Sequence, residues 1–414
     1  MPTRSSSVRS QARTLGLVLA IVVGPAGAHT DDKEAIPDEP GGRVGLAAAV
    51  RGLRASDALP SQGLPGYLLL GDPGVDHRGT ELEHGVAQLG YRFTREFGVE
   101  LAVGAHGSDP AHIEAAWLQG RGTADAVDWT LGAGRRTPSQ GPVMTYAGHL
   151  DQFGLMPLAK QAVTNGDWIA NGSELGLKGH ADAVDWTADL GVWSGSTFPG
   201  STGSPAAPAM HLGAGGDVAG GDLTADGFVA LFRPSGRGSR ISSTTGGHTH
   251  TAPTCDASLN QVVCFDGHSR IGGVSVQWQG RDWPLALSGA VMWRQEDGSL
   301  ESRNGLGQYS SRIHGDWLQG IWRWAPQWKV GARVERLSAT QSLIGPGALL
   351  LASEAGLDGY SPQRRATAML GFNHDSWLGV HLEGGREVAG QKTVRFVALR
   401  LLLWWDHGFA APER

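Results

Sequence analysis

The chain has 414 residues, of which 63 are glycine and 15 are tryptophan, while only 18% are charged. Glycine is about twice as frequent as average but has no triplet period, which excludes collagen. The 40% hydrophobic content and the formal net charge of -6 exclude a disordered chain. The acidic balance also argues against nucleic-acid binding, which requires a basic face.

The N-terminus has the pattern of a secretory signal peptide. Arg4, Arg9 and Arg13 precede an apolar run from Leu15 to Val23, and the small residues of 25–28 follow it. The run is shorter than the roughly 20 residues of a membrane-spanning helix. We therefore expect residues 1–28 to be removed on export, with 29–41 as a short N-terminal segment on the periplasmic side.

Strict alternation of apolar and polar residues predicts β-strands with two different faces. The clearest stretches are 97–106, 184–192, 285–294, 328–335 and 396–405. In a soluble sandwich the apolar face would form the core. In a membrane barrel the apolar face contacts lipid and the polar face lines the interior.

The links between strands favour the membrane barrel, because short links alternate with long ones. The short links are 94–96, 280–282, 325–326 and 373–375, and the long ones are 55–82, 137–171, 195–207, 233–268 and 339–362. The prediction is an all-β fold, a transmembrane antiparallel β-barrel of sixteen strands. It occupies residues 42–409, with 410–414 as a C-terminal tail. The expected strands are 42–54, 83–94, 96–106, 112–121, 126–136, 172–180, 184–194, 208–218, 222–232, 269–280, 284–294, 312–324, 326–338, 363–373, 375–386 and 392–404.

Tryptophans gather near the predicted strand ends, and this predicts two aromatic belts at the membrane interfaces. Ten lie on the short-turn side, namely Trp129, Trp186, Trp278, Trp283, Trp322, Trp324, Trp328, Trp377, Trp404 and Trp405. Four lie on the long-loop side, namely Trp117, Trp193, Trp293 and Trp317. The segment Ala124–Thr130 recurs as Ala181–Thr187, which we interpret as one turn-and-belt arrangement used twice.

Together, the signal peptide, the sixteen alternating segments, the two belts and the long stretch after the fifth strand resemble the bacterial outer-membrane porins. The resemblance implies an outer-membrane location, contact with outer-membrane lipid and a homotrimer. It also implies that the loop after the fifth strand, here 137–171, folds into the lumen as a constriction. The chain departs from the family at its end, because residues 410–414 follow Phe409 where the family usually closes on an aromatic residue.

Selectivity in a water-filled pore depends on its diameter and on the charges at its narrowest point. The resemblance implies acidic loop residues opposite a basic wall. The loop candidates are His149, Asp151, Lys160 and Asp167, and the wall candidates are Arg92, Arg136, Arg294, Arg333 and Arg400. The predicted function is passive diffusion of small hydrophilic solutes or ions. The sign of selectivity stays open, since the overall charge favours cations and the arginines favour anions.

Residues in the loop 233–268 suggest an alternative function. Cys255 and Cys264 are expected to form a disulfide, because an exported protein folds in an oxidising compartment. His248, His250 and His268 could hold Zn²⁺, which imidazole suits, although their spacing matches no standard zinc motif. The alternative is therefore a barrel specialised for binding and taking up a metal ion.

Catalysis is not expected. The sequence has no Gly-x-Ser-x-Gly nucleophile motif, and the strand layout brings no histidine and carboxylate set together. No cofactor is expected apart from Zn²⁺ in the loop.

Overall fold

The computed structural model describes residues 35–69, 78–107, 110–148, 150–200, 205–240, 262–374 and 377–410. Within these ranges the chain is almost entirely β-strand. The strands are β1 (Gly41–Ala55), β2 (Gly79–Arg92), β3 (Phe97–Ala105), β4 (His112–Ala124), β5 (Val127–Arg136), β6 (Ala170–Ala181), β7 (Val184–Trp193), β8 (Ala207–Val218), β9 (Gly221–Phe232), β10 (Arg237–Arg240), β11 (Val262–Gly280), β12 (Leu285–Ser302), β13 (Gly305–Ala325), β14 (Trp328–Ile344), β15 (Gln363–His374), β16 (Leu378–Ala389) and β17 (Lys392–Ala410). The helices are α1 (Pro142–Tyr146), α2 (Leu158–Thr164) and α3 (Ala348–Glu354), with a 3-10 turn at Leu357–Gly359.

Sixteen of these strands form one closed antiparallel barrel, which confirms the predicted fold class. β1 pairs with both β2 and β17, so that Ala47 lies opposite Val86 on one side and Trp404 on the other. β9 pairs directly with β11, and the short β10 pairs with β11 beyond that contact. Closure leaves the barrel wall without an unpaired edge.

The barrel is apolar outside, as the alternation predicted. Leu101 and Val103 on β3 are 49% and 45% exposed, and Leu399 on β17 is 56% exposed. The residues that alternate with these along each strand point inward. Among them, Ala102 on β3 and Arg400 on β17 are buried. An apolar surface of this extent is stable only against lipid or another protein.

The two ends of the barrel differ in their connections. At the turn end, the links are 93–96, 125–126, 182–183, 219–220, 281–284, 326–327 and 375–377. At the loop end, segments such as 56–78, 137–169 and 345–362 connect the strands.

Some strands at the loop end extend further than expected. β12 and β13 continue to a tight turn at Arg303 and Asn304, and β11 begins at Val262, inside the predicted loop 233–268. The outer face of this extension carries polar residues such as Gln295 and Asp297, so it lacks the apolar alternation that predicted the other strands.

One of the two expected tryptophan belts is present. At the turn end, Trp322, Trp324 and Trp328 are 52%, 43% and 39% exposed on the outer face, while Trp404 takes an inward position on β17. At the loop end, the prediction was wrong for Trp117, Trp193 and Trp317, which point inward and are 3%, 1% and 2% exposed. These tryptophans point inward because side chains alternate along a strand, and on β4 and β7 the residues next to them are the ones that face lipid.

The repeated heptapeptide has one structural role in both copies. Asp125 and Asp182 each hold the left-handed conformation of a tight turn, both with φ of 53°. After each turn, a tryptophan ring lies over a glycine on the neighbouring strand. A Cβ at Gly122 or Gly179 would lie 2.8 or 2.5 Å from that ring. Such glycine and tryptophan pairs account for part of the unusual composition.

Candidate functional site

The loop after β5 folds into the barrel. Every residue of α2 is buried, and α2 packs against β12, β13 and β14. The N-terminal half of the loop, α1, packs against β11 and β12. The two helices of the predicted constriction loop 137–171 therefore lie against the inner face of the barrel.

Apolar side chains fill much of the loop-end interior. One core joins the wall to the loop around Trp168, and its larger members are Trp117, Met144, Val163, Trp193, Phe228, Phe232, Ile271, Met292 and Trp317. A second core brings the segment around Leu64 and Tyr67 onto Leu158 of α2. This packing fixes the loops and restricts the space left for water.

Buried arginines on the wall hold the middle of the loop by its backbone. Arg400 Nη1 donates to Asp151 O at 2.9 Å, and Arg51 Nη1 donates to Gly154 O at 2.9 Å. Arg333 and Arg365 donate in the same way to the carbonyl oxygens of Leu155 and Met156. We call Arg51, Arg333, Arg365 and Arg400 the arginine row; each is 0–2% exposed.

Buried glutamates compensate the arginine row. Glu335 Oε1 accepts from Arg333 Nε and Arg365 Nε, both at 2.9 Å, and Glu335 Oε2 accepts from Leu158 N at 2.8 Å. Glu83 accepts two hydrogen bonds from Arg400, at 2.7 and 2.5 Å. A buried charge is tolerated only with such partners, so these residues hold the loop as a unit.

The structure places the predicted wall residues differently from expectation. Arg92, Arg294, Arg333 and Arg400 are 0–1% exposed, so their guanidinium groups do not face a solute. Arg294 donates to Leu68 O at 2.7 Å, and Arg136 lies over the ring of Trp117 at 5.0 Å. The physical reason is that the loops pack directly onto the wall and replace water as the arginines' partner.

The predicted loop residues partly pair with each other. Lys160 Nζ lies 2.6 Å from Asp167 Oδ1 and donates to the carbonyls of Thr145 and Ala147 at 2.8 and 2.9 Å. This buried lysine therefore ties α2 to the end of α1. His149 lies outside the described residues.

The sequence reasoning did not find the glutamate partners. Glu335 follows Arg333 by two residues and Glu296 follows Arg294 by two, which places each pair on one face of a strand. An acidic residue two positions after an inward arginine therefore indicates that the arginine forms an ion pair within the wall. Such an arginine is not expected to face solutes in the pore.

The turn-end interior is polar and more open than the loop-end interior. Six aspartates lie on the inward positions of β5 and β7–β9, namely Asp128, Asp185, Asp189, Asp217, Asp222 and Asp226. Asp128 and Asp185 are exposed. Lys178, His180 and Arg281 lie among them: His180 Nδ1 is 2.8 Å from Asp185 Oδ1, and Arg281 pairs with both Asp217 and Asp222. We call this region the acidic vestibule.

A histidine bridges two of these aspartates above the vestibule. His211 Nδ1 lies 2.8 Å from Asp189 Oδ2, and His211 Nε2 lies 3.1 Å from Asp226 Oδ1. The bridge crosses the three adjacent strands β7, β8 and β9. It therefore occupies two carboxylates that would otherwise face the lumen.

The N-terminal segment enters the turn-end opening. Ile36 is 4% exposed, Arg92 Nε donates to Pro37 O, and Arg121 Nη1 lies 2.9 Å from Asp38 Oδ1. A Cβ at Gly90 would lie 1.8 Å from the Ala35 carbonyl oxygen, so this glycine allows the close approach.

Only some of the predicted metal and disulfide residues are among those that the structure describes. His248, His250 and Cys255 lie outside the described residues. Cys264 and His268 belong to β11 rather than to a loop, with Cys264 4% exposed and His268 exposed. Both hypotheses therefore stay predictions.

Comparisons with known proteins give a likeness of fold. A scan of protein-family models and a search of curated proteins gave no match. Among the described residues, no helix is long and apolar enough to cross a bilayer.

Solved structures of outer-membrane proteins do match. OmpF of Salmonella typhi, in complex with daunomycin, is similar with a TM-score of 0.53 and 6% identity, over 89% of this chain and 98% of that one. OprB of Pseudomonas putida has a TM-score of 0.51 and 12% identity, over 88% and 94%. The outer-membrane channel DcaP of Acinetobacter baumannii has 0.50 and 12%, over 88% and 98%. The chain therefore has the fold of the outer-membrane β-barrel channels.

Proposed function

We propose that this protein is an outer-membrane porin through which small hydrophilic solutes or ions diffuse passively. The observation that carries the proposal is the contrast between the two faces of the wall. The outer face is apolar, whereas the turn-end interior carries exposed charges such as Asp128 and Asp185. A polar interior inside an apolar cylinder is typical of a water-filled channel.

We further propose that the channel prefers cations. Of the arginines that could favour anions, Arg294, Arg333 and Arg400 are buried and paired with glutamates, so they contribute little field to the lumen. In the acidic vestibule, Arg281 pairs with Asp217 and Asp222, and His211 bridges Asp189 and Asp226. The exposed Asp128 and Asp185, near Lys178 and His180, are therefore the charges that face the solute. Rings of acidic side chains attract cations in water-filled pores.

The exposed vestibule charges provide the test. Replacing Asp128 and Asp185 together by asparagine is expected to reduce the cation-to-anion permeability ratio by about two- to fourfold. A unit charge acting across about 10 Å of water contributes about 0.4 kcal/mol, a factor of about two per charge. The measurement is the reversal potential of the protein in a planar bilayer under a salt gradient.

Asp316→Asn is the matched control, because Asp316 lies on the outer face, where it accepts from Arg336 at 3.2 Å. It should leave the reversal potential unchanged. An anion-preferring wild type, or a double variant with the wild-type ratio, would contradict the proposed selectivity.

Two remaining parts of the proposal rest on the porin resemblance. These are insertion into outer-membrane lipid and a homotrimer. Export through the signal peptide 1–28, the disulfide Cys255–Cys264 and transport without catalysis rest on the residue pattern itself. Crosslinking and mass measurement of the detergent-extracted protein test the homotrimer. The metal-uptake alternative through the loop 233–268 is second, because the spacing of its histidines matches no standard zinc motif.

A further inference from the structure

Three histidines and a glutamate meet at the loop end of β2, β3 and β4. Glu114 Oε1 lies 2.9 Å from His84 Nε2, 3.3 Å from His106 Nε2 and 3.8 Å from His112 Nε2. The ligand atoms of His84, His106 and Glu114 all lie within 4.8 Å of one another. We call these four residues the histidine cluster. It is separate from the loop histidines considered above, and it shows that the expectation of no convergent histidine and carboxylate set was wrong.

Two β-bulges assemble the cluster. In β2, Ala49 pairs with His84 and Val50 with Leu82, so Glu83 is an extra residue. In β4, Ala102 pairs with Ala115 and Val103 with Ile113, so Glu114 is extra. Each bulge turns two consecutive residues toward the interior, as bulges beside functional sites commonly do.

The surroundings fit an oriented set of ligands. A Cβ at Gly104 would lie 1.9 Å from Glu114 Oε1, so the glycine makes room for the carboxylate. His106 Nδ1 lies 3.4 Å from Glu83 O, and His112 Nδ1 lies 3.4 Å from Pro110 O. A carbonyl at Nδ1 favours a proton there and leaves Nε2 as the electron-pair donor, as in many metal sites.

His106 and its neighbours are also largely withdrawn from water. His84 and His106 are 8% and 6% exposed. This burial limits the competition of water for the ring nitrogens.

We propose that the histidine cluster binds a divalent transition-metal ion, with Zn²⁺ the best fit. Imidazole nitrogen with one carboxylate oxygen is a donor set that suits zinc, whereas Mg²⁺ and Ca²⁺ prefer oxygen alone. Zinc bonds of about 2.0–2.2 Å in a tetrahedron place ligand atoms about 3.3–3.6 Å apart. The three Nε2 atoms lie 2.9, 3.3 and 3.8 Å from Glu114 Oε1, close to this range.

Binding requires one local adjustment. The rings of His84 and His106 are stacked at 4.3 Å with 14° between their planes, and His106 and His112 at 5.3 Å with 22°. Stacked rings do not aim their electron pairs at one point. Rotation of the imidazoles about their Cβ–Cγ bonds, on their present backbone positions, directs the Nε2 atoms toward a shared ion.

The test is a Zn²⁺ titration against a competing chelator, on the full chain folded in detergent. His84→Ala/His106→Ala is compared with wild type and with His248→Ala/His250→Ala/His268→Ala. We expect the cluster variant to lose one equivalent of bound Zn²⁺ and the loop variant to keep it. Glu114→Gln should weaken binding by at least about tenfold.

His180→Ala is the control, because His180 lies at the turn end and its side chain is 63% exposed. It should bind Zn²⁺ as wild type does. If the cluster variant does not fold, Glu114→Gln decides the question. Wild-type stoichiometry and affinity in the folded cluster variant, or in Glu114→Gln, would overturn the proposal. The titration needs no conductance, so its failure would leave the proposed channel function unaffected.

Discussion

Glu335→Gln is expected to destabilise the folded barrel by about 3–5 kcal/mol. Glu335 is 2% exposed and is the shared acceptor for Arg333, Arg365 and the first amide of α2. Without its charge, the buried Arg333 loses its paired carboxylate, and Arg365 keeps only the longer pair with Glu387 at 3.5 Å. The measurement is the free energy of unfolding from urea titration in detergent or lipid, with a single-channel recording of the same variant.

Asp316→Asn provides the matched comparison on the neighbouring strand. Asp316 is on the outer face with a 34% exposed side chain and one partner, Arg336, so its loss should cost at most about 1 kcal/mol. The recording of Glu335→Gln should also show larger or noisier current steps, because the loop is released. Equal stabilities for the two variants would show that Glu335 does not anchor the loop.

Lys160→Met is expected to loosen the loop inside the barrel while the strands stay paired. Lys160 is 3% exposed and holds Asp167 and the carbonyls of Thr145 and Ala147. Removing one partner of a buried pair costs about 3–5 kcal/mol. Since 1.4 kcal/mol is tenfold, amides of α1 and α2 should exchange at least about a hundredfold faster.

Hydrogen exchange followed by mass spectrometry measures this effect directly. Lys392→Met is the control, because Lys392 and Asp57 form a pair at 3.0 Å with side chains 45% and 61% exposed. It should leave the exchange of α1 and α2 unchanged. Wild-type exchange in Lys160→Met would mean that apolar packing alone holds the loop.

The alternation of residues predicted the barrel because each lipid-facing strand has its own local pattern. Val330 and Val334 face out on β14, and Lys329, Arg333 and Glu335 face in, which adjacent sequence positions already indicate. The lengths of the links then give the strand number. Both features depend on residues that are close in the chain, so a single sequence is enough to predict them.

The contents of the lumen are not local. Whether Arg333 faces water or Leu155 depends on where a loop from another part of the chain packs, and no spacing in the sequence determines this. The bulges at Glu83 and Glu114 were missed for a related reason. An extra residue interrupts the alternation of apolar and polar positions. From the sequence alone, such an interruption looks the same as the end of a strand, and only the pairing with the partner strand shows that it is a bulge.

Planar-bilayer recording of the pure, folded protein tests most directly whether the chain forms a water-filled channel. The expected result is stepwise conductance, with a reversal potential that indicates cation preference. Bilayers in which the folded barrel is shown to be inserted, but which carry no current steps, would contradict the account.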